Sequence, residues 1–186
     1  YALTGDEFYC TRAIEIARVI DKDFAQPQSP FYRYNRSKSE DWKEVLEVED
    51  NVIPSANSFV AHFFHELGTY AGQMNWLEKS KTMVESIHGK VFKQGQNFSN
   101  WLNLALSHIF GAKEVVTIGD EAKTALGAIT TNNYRPNTLY LSSKKAGDLP
   151  LTLGRPYDKT RYFICKHGAC NLPTEDSKTA TELWME

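Results

Sequence analysis

The chain has 186 residues, of which 41% are hydrophobic and 24% are charged, proportions typical of a globular protein that can bury a core. Lys and Arg number 21 and Asp and Glu number 23, so the net charge of -2 predicts no general attraction for nucleic acid. Three cysteines exclude a disulfide-dense secreted scaffold, and no stretch reaches the ~18 apolar residues of a membrane span, so we predict a cytoplasmic protein without a membrane partner.

The first predicted element is a helix near the N-terminus. The sequence starts at Tyr1 without Met or a leader, and we interpret the chain as part of a longer polypeptide. Apolar residues at helical spacing predict a helix from Asp6 to Phe24, and Pro27 follows it. Residues 31–34 alternate aromatic and polar side chains, a pattern that predicts a short strand.

Three further helices are predicted in the first two thirds of the chain. Segments 59–68 and 98–110 are apolar on most sides, which indicates buried helices, and segment 76–87 between them is amphipathic. A weak internal repeat aligns residues 5–20 with residues 72–87. Alternating buried and amphipathic helices joined by short glycine turns predict an α/α-hairpin array, the building unit of an α/α toroid.

The pattern changes to alternating strands and helices after Gly111. In chain order, the predicted segments are strand 114–118, helix 121–131, strand 138–141, strand 161–165 and helix 175–185. We therefore predict a mainly α protein with two parts. Helical hairpins of an incomplete α/α toroid occupy residues 1–111, and a small α/β subdomain with a short β-sheet occupies residues 112–186.

A dense group of polar side chains precedes the first buried helix and forms a candidate binding site. Its members are Asp50, Asn51, Ser55, Asn57 and Ser58. These groups could bind the hydroxyls of a ligand beside the free backbone N–H groups of a helix N-terminus. The alternative is that one or two of them only cap the helix, which would leave the others unexplained.

The same helix carries His62, His65 and Glu66, whose spacing puts them near one face. The order differs from the zinc-protease motifs, and we favour polar residues at the edge of a packed helix. If the helix lines a cavity, Asp50, His62 and His65 are weak candidates for catalysis, and His108 could join them. No pair is compelling, so enzymatic activity stays open. No nucleotide-binding glycine motif is present, and we predict neither a cofactor nor a metal.

Cys165 and Cys170, with His167 between them, form the most reactive cluster of the sequence. Two thiols at this spacing can approach each other across a turn, although a redox pair usually has two intervening residues. Zinc would need a fourth ligand that no second Cys/His cluster supplies. Three interpretations stay open: plain structural cysteines, which we favour, a disulfide or redox-labile pair, and a metal site.

Several motifs occur in the order found in one family. They are Tyr-x-x-Thr-Gly-Asp-x-x-Tyr at 1–9, Pro-Ser-Ala-Asn-Ser at 54–58, Lys-Glu-Val-Val-Thr-Ile-Gly at 113–119, Arg-Pro-Asn at 135–137 and Cys-x4-Cys-x2-Pro-Thr at 165–174. With these motifs the chain resembles the C-terminal part of the spermatogenesis-associated, thioredoxin-domain protein family (YyaL-type proteins). The resemblance extends over essentially the whole chain, although the family usually has Gly at the position of Ala56.

The resemblance implies an upstream thioredoxin-like domain and an (α/α)6 toroid similar to N-acylglucosamine 2-epimerases and six-hairpin glycosidases. It therefore implies two functions. One is carbohydrate binding or epimerase-like activity on a sugar-like small molecule. The other is a non-catalytic binding or scaffold module coupled to the upstream domain of the same polypeptide. Because isolated hairpins leave faces unpaired, we also expect exposed apolar faces and homo-oligomers formed through them.

Overall fold

A computed structural model describes residues 1–33, 46–133 and 135–186. It confirms a helix-rich chain with a small β-sheet. The chain divides into two compact units, residues 11–108 and residues 1–10 together with 109–186. Across the described ranges, none of the helices is both long enough and apolar enough to cross a lipid bilayer.

In the described residues, the helices are α1 Glu7–Asp23, α2 Ala56–Ala71, α3 Met74–Ser86, α4 His88–Gln94, α5 Ser99–Phe110, α6 Ala122–Thr130 and α7 Ser177–Met185. The strands are β1 Lys113–Ile118, β2 Thr138–Ser143, β3 Arg161–Lys166 and β4 Ala169–Cys170. A short 3-10 turn, Gly95–Phe98, joins α4 to α5. These elements follow the predicted order except at three places: the short strand predicted at residues 31–34 is not formed in the described residues 31–33, and helix α4 and strand β4 are additional.

Helices α2 and α3 form a hairpin in the unit of residues 11–108. Ser55 caps α2, since its side chain accepts a hydrogen bond from the backbone N–H of Ser58. Gly72 ends α2 in the left-handed conformation, with φ of 63°, and its N–H donates to the carbonyl of Gly68. A Cβ on Gly68 would lie 2.7 Å from Cγ of Leu77, so the missing side chain lets the two helices pack closely.

Large side chains form the core of this unit. The fully buried ones are Phe64, Met83, Phe98, Trp101 and Leu104. The ring centroids of Phe64 and Trp76 are 4.7 Å apart, which joins α2 to α3. The predicted burial of α2 and α5 on most sides is wrong, because Phe59 is 68% exposed and Leu106 is 44% exposed. Each helix buries one face, and no described element of this unit covers the other.

Residues 31–33 do not form the predicted strand, and Tyr34 lies outside the described residues. The backbone N–H of Tyr32 donates to the side-chain amide of Asn57 at 2.7 Å, and its carbonyl accepts from the same amide at 2.9 Å. The N–H of Arg33 donates to the carbonyl of Phe24 at 3.0 Å. A side chain and the end of α1 therefore take the hydrogen bonds that a neighbouring strand would have made.

The second unit contains a four-stranded sheet in the order β2-β1-β3-β4. Strands β1 and β2 are parallel and connected through α6, as predicted for a β-α-β unit, and β3 is antiparallel to both β1 and β4. Helices α6 and α7 cover one face of the sheet. The buried cluster on that face consists of Val115, Ile129, Tyr162, Ile164, Ala180 and Trp184.

A tight hairpin joins β3 to β4. Its two central residues, His167 and Gly168, have φ of 54° and 75°, as a type I′ turn requires. The two residues that flank them pair with each other, and the next pair outwards is Cys165 and Cys170. The Cys-x4-Cys spacing therefore places the two cysteines directly opposite each other.

The first ten residues are anchored on the unit that contains the sheet. Gly5 has φ of 66°, and a Cβ there would lie 2.6 Å from the carbonyl oxygen of Ser142 on β2. Oε1 of Glu7 accepts hydrogen bonds from the backbone N–H groups of Asp148 and Leu149 at 2.8 and 2.9 Å. These contacts account for the position of residues 1–10, and the predicted boundary between residues 111 and 112 stays a prediction.

Candidate functional site

Four of the five predicted binding residues are buried in a hydrogen-bonded network at the N-terminal end of α2. Asp50, which is 5% exposed, occupies its centre. Its Oδ1 accepts hydrogen bonds from the backbone N–H of Ser55 at 2.9 Å and from the hydroxyl of Ser58 at 2.7 Å. Its Oδ2 accepts from the backbone N–H of Asn100 at 2.9 Å. The carboxylate thus has three donors inside the protein.

The other members of the network make internal hydrogen bonds as well. The hydroxyl of Ser55 donates to the carbonyl of Val48 at 2.9 Å. The side-chain amide of Asn57 donates to the carbonyls of Tyr32 and Glu47, both at 2.9 Å. Buried polar groups that are paired in this way hold loops against helices and leave few lone pairs or protons for a ligand.

Asn51 does not share this arrangement, since its side chain is exposed. The structure therefore brings Asp50, Ser55, Asn57 and Ser58 together and leaves Asn51 at the surface. Binding of a ligand by these five residues stays a prediction.

The histidines predicted as weak catalytic candidates lie on α2, near α5. Nε2 of His62 is 2.9 Å from the carbonyl oxygen of Asn100. The ring of His65 packs edge to face on that of His108, with centroids 4.7 Å apart. Nε2 of His108 is in turn 2.9 Å from the hydroxyl of Ser80. The positions of the histidines within α2 and within α5 do not by themselves predict that the rings of His65 and His108 are in contact.

His65 is unusual because both of its ring nitrogens are buried and have no hydrogen-bond partner. Burial, together with the neighbouring His108 and His62, lowers the pKa of His65 to about 4. Burial also lowers the pKa of His108. A histidine with so low a pKa is neutral at pH 7 and accepts a proton weakly, which is a poor property for a general base.

Glu66 follows His65 on α2 and is exposed. Because both oxygens of Asp50 are hydrogen-bonded and His65 is a poor base, the geometry adds no support for catalysis by Asp50, His62 and His65, which stays a prediction. Among the residues that the structure describes, no three His, Cys, Asp or Glu side chains are grouped so that they could hold a metal ion.

A second group of functional side chains surrounds the β3–β4 hairpin. Cys165 and Cys170 are joined by a disulfide. Cys165 is 2% exposed, whereas Cys170 lies at the surface. The third cysteine, Cys10, is free and buried, and burial raises its pKa. The two sulfurs of the disulfide therefore differ in their access to a reagent.

Arg155 contacts both sulfurs of this disulfide. Its Nη2 lies 3.5 Å from Sγ of Cys165 and 3.3 Å from Sγ of Cys170. Its guanidinium also lies 4.3 Å from the ring centroid of Phe163, which holds it over the sheet. A fixed positive charge at this distance stabilises a thiolate, the reactive form of cysteine. Arg155 could not be predicted from the sequence, because a single arginine in a loop carries no pattern that indicates which distant side chains it will contact.

Glu114 on β1 completes the group, since it pairs with Cys165 in the β1–β3 register. The side chain is 3% exposed, and its Oε2 has no hydrogen-bond partner. Burial raises the pKa of Glu114, while the N–H of Gly168 and the charges of His167 and Arg155 oppose the rise. The sequence contained one signal for this residue, a carboxylate directly before Val115 and Val116 in a predicted strand.

These observations define a helix-rich protein with a small mixed sheet and a disulfide at one end of that sheet. The chain is 22% identical to Spermatogenesis-associated protein 20 of Mus musculus over 189 residues, which cover 95% of the chain and 24% of that protein. It thus spans about a quarter of the length of this curated relative. The similarity supports the suspected link to the spermatogenesis-associated proteins. No family model matches the chain, and no solved structure matches it.

Proposed function

We propose that the chain is a non-catalytic binding module that exchanges its Cys165–Cys170 disulfide with a thioredoxin-like dithiol. The observation that carries this proposal is the position of Arg155, whose guanidinium lies 3.3 Å from Sγ of the exposed Cys170. The partner follows from the family resemblance, which implies a thioredoxin-like domain upstream on the same polypeptide.

The unequal exposure of the two sulfurs gives the exchange a direction. An incoming thiolate reaches Cys170 at the surface, while Cys165 beneath it is shielded. Exchange is fast when the attacked sulfur is accessible and the departing thiolate is stabilised, and Arg155 contacts the departing sulfur at 3.5 Å. In the predicted cytoplasmic location, disulfides are usually transient and take part in redox chemistry, which also favours exchange.

Equilibration with a reduced thioredoxin tests the proposal. We expect the disulfide to be reduced, with a potential above about -270 mV, the value of thioredoxin itself. The measurement is the number of thiols that react with a maleimide after quenching in acid. A disulfide that persists in the folded protein under excess reduced thioredoxin would contradict the proposal.

Two single cysteine variants provide a matched control. Cys165→Ser retains the exposed thiol and Cys170→Ser retains the buried one, and Arg155 contacts both positions, so accessibility is the main difference between the two variants. We expect Cys165→Ser to form a mixed disulfide with an oxidised thioredoxin probe at least about tenfold faster. Equal rates in two folded variants would show that Cys170 is not the preferred sulfur.

The carbohydrate-binding, epimerase-like hypothesis has less support. It depends on the resemblance to sugar-processing toroids, and likeness of fold alone does not define a site. Asp50, Ser55, Asn57 and Ser58 are hydrogen-bonded to groups of the protein. A sugar ligand, the toroid and assembly into homo-oligomers all stay predictions, although exposed apolar residues such as Phe59 and Leu106 are consistent with missing neighbours.

A further inference from the structure

Three chemically active side chains form a row across the sheet. Glu114 on β1 is paired with Cys165 on β3, and Cys165 is paired with Cys170 on β4. Side chains of directly opposite residues lie on the same face of a sheet, with Cβ atoms about 4.5–5.5 Å apart. The register therefore sets the side chain of Glu114 beside that of Cys165, the buried half of the disulfide.

The surroundings of Glu114 are unusual for a carboxyl group. It is 3% exposed and has one oxygen without a hydrogen-bond partner, a costly arrangement for an ionised side chain. Two charged or titratable groups act on it. They are Arg155, from the loop that precedes β3, and His167, from the β3–β4 turn. The N–H of Gly168 in that turn also donates to it. A buried carboxyl kept in this state is a candidate for proton transfer.

Reduction of the disulfide produces a buried sulfur, Sγ of Cys165, that is stabilised by receiving a proton. When the bond breaks, Cys165 leaves as a thiolate, and at 2% exposure its sulfur is out of reach of bulk water. A buried thiolate is unfavourable unless it is neutralised. We propose that the carboxyl group of Glu114 donates a proton to the sulfur of Cys165 when a dithiol reduces the disulfide. This inference rests on the proposed exchange function.

The first step forms a mixed disulfide. A thiolate of the reductant attacks Sγ of Cys170, a new bond joins the two sulfurs, and the bond between Cys165 and Cys170 breaks. The electron pair of the broken bond moves to Sγ of Cys165. The protonated carboxyl of Glu114 then transfers its proton to that sulfur, which leaves a neutral thiol and a carboxylate.

The second step releases the reductant. Its second thiol loses a proton to solvent and attacks the sulfur that is bonded to Cys170. The electron pair moves to Sγ of Cys170, and Arg155 stabilises the resulting thiolate. The reductant leaves as a disulfide, oxidised by two electrons, and Glu114 regains a proton from solvent. Two electrons have passed to the cysteine pair, and charge and protons balance.

The experiment measures the rate of reduction by dithiothreitol between pH 5 and 9, divided by the concentration of dithiothreitol thiolate. In the wild-type protein this normalised rate falls as pH rises, because the protonated fraction of Glu114 falls. Glu114→Gln removes the proton donor while keeping the shape of the side chain. We expect a profile without the descending limb and a rate at pH 6 about tenfold lower. This is less than the roughly 10²–10⁴-fold typical of general acid catalysis, because Arg155 also stabilises the sulfur.

Glu182→Gln is the matched control, since it removes an exposed carboxylate on α7 of the same unit. It is expected to keep the wild-type profile. Glu114→Asp retains a carboxyl and is expected to recover the descending limb at a reduced rate. A purely structural role of Glu114 would lower the thermal stability of the variants without changing the shape of the profile.

The outcomes separate this inference from the proposed function. Exchange in the wild-type protein with an identical profile in folded Glu114→Gln overturns the role of Glu114 alone. If the disulfide is not reduced by any dithiol, the exchange function fails as well. If Glu114→Gln does not fold, the wild-type profile decides, because a normalised rate that stays constant between pH 5 and 9 contradicts a donor that loses its proton in this range.

Discussion

The two units each contain a buried carboxyl group, and the comparison of the two separates a structural role from a chemical one. Asp50 is 5% exposed and Glu114 is 3% exposed, so burial does not distinguish them. Asp50 accepts three hydrogen bonds through its two oxygens, whereas one oxygen of Glu114 has no partner. The number of donors around a buried carboxyl, more than its depth, decides whether it holds the fold or is available to exchange a proton.

The difference in donors follows from the elements around each group. Asp50 faces the N-terminal ends of two helices, where the backbone N–H groups of Ser55 before α2 and Asn100 in α5 have no partner within their helix. The positive end of each helix dipole also favours a negative charge there. Glu114 is instead on a central strand, whose backbone N–H groups are used by the sheet.

The largest expected effect is the loss of stability in Asp50→Ala. Removing the carboxylate leaves the N–H groups of Ser55 and Asn100 buried without their acceptor, while the hydroxyl of Ser58 can still donate to the carbonyl of Ser55. Each unsatisfied group costs about 1–3 kcal/mol, and with partial relaxation we expect a decrease of about 4 kcal/mol in the free energy of unfolding. Urea denaturation followed by circular dichroism measures it.

Asn51→Ala is the matched control for Asp50→Ala, because the neighbouring side chain is exposed. We expect it to change the free energy of unfolding by less than about 0.5 kcal/mol. A decrease below about 1 kcal/mol in Asp50→Ala would show that the network does not stabilise the fold, and its groups would then be open to binding a ligand.

The second effect is a loss of stability at acidic pH caused by His65. Its pKa is lowered to about 4 in the folded protein from an ordinary 6.5, so the unfolded chain binds the proton more readily. The free energy of unfolding is therefore unaffected by this group above pH 6.5 and decreases as the pH falls from 6.5 towards 4. The decrease is up to about 3 kcal/mol at about 1.4 kcal/mol for each pKa unit, and denaturation at a series of pH values measures it.

Substitution tests whether His65 causes the acid sensitivity. His65→Leu removes the titrating ring and is expected to flatten the dependence on pH, apart from the contribution of His108, whose pKa is also lowered. His88→Asn alters an exposed histidine and is expected to leave the dependence unchanged. An equal loss of stability in wild type and His65→Leu would assign the acid sensitivity to other groups.

The parts of the structure that depend on local pattern could be predicted from the sequence. Most of the order of helices and strands, the β-α-β unit and the polar segment around Asp50 follow from periodicity and side-chain type, whereas the strand predicted at residues 31–34 does not form in the described part of that segment. Helix α4 was missed because its apolar residues, Val91 and Phe92, are adjacent and form no helical stripe, and Phe92 is 79% exposed. Its neighbours α3 and α5 have clear apolar faces.

The chemical group around the disulfide depends on tertiary pairing and could be predicted only in part. The Cys-x4-Cys spacing indicated that the thiols could meet across a turn. The positions of Glu114 and Arg155 depend on the register of β1 against β3 and on a loop folded over the sheet. Neither the strand register nor the loop position produces a periodic pattern in the sequence, because the contacting residues come from distant parts of the chain.

The smallest expected effect concerns the reactivity of Cys170 in the reduced protein. Arg155→Gln removes the positive charge 3.3 Å from its sulfur, so a smaller fraction of the thiol is ionised. Because Cys170 is exposed and solvent weakens the interaction, we expect iodoacetamide to alkylate it only about fivefold more slowly at pH 7. Arg161→Gln is the control, since that side chain pairs with Asp158 at the other end of β3. If both variants reacted at the same rate, Arg155 would pack on Phe163 without activating Cys170. The chemical role assigned to the unit with the sheet would then depend on Glu114 alone.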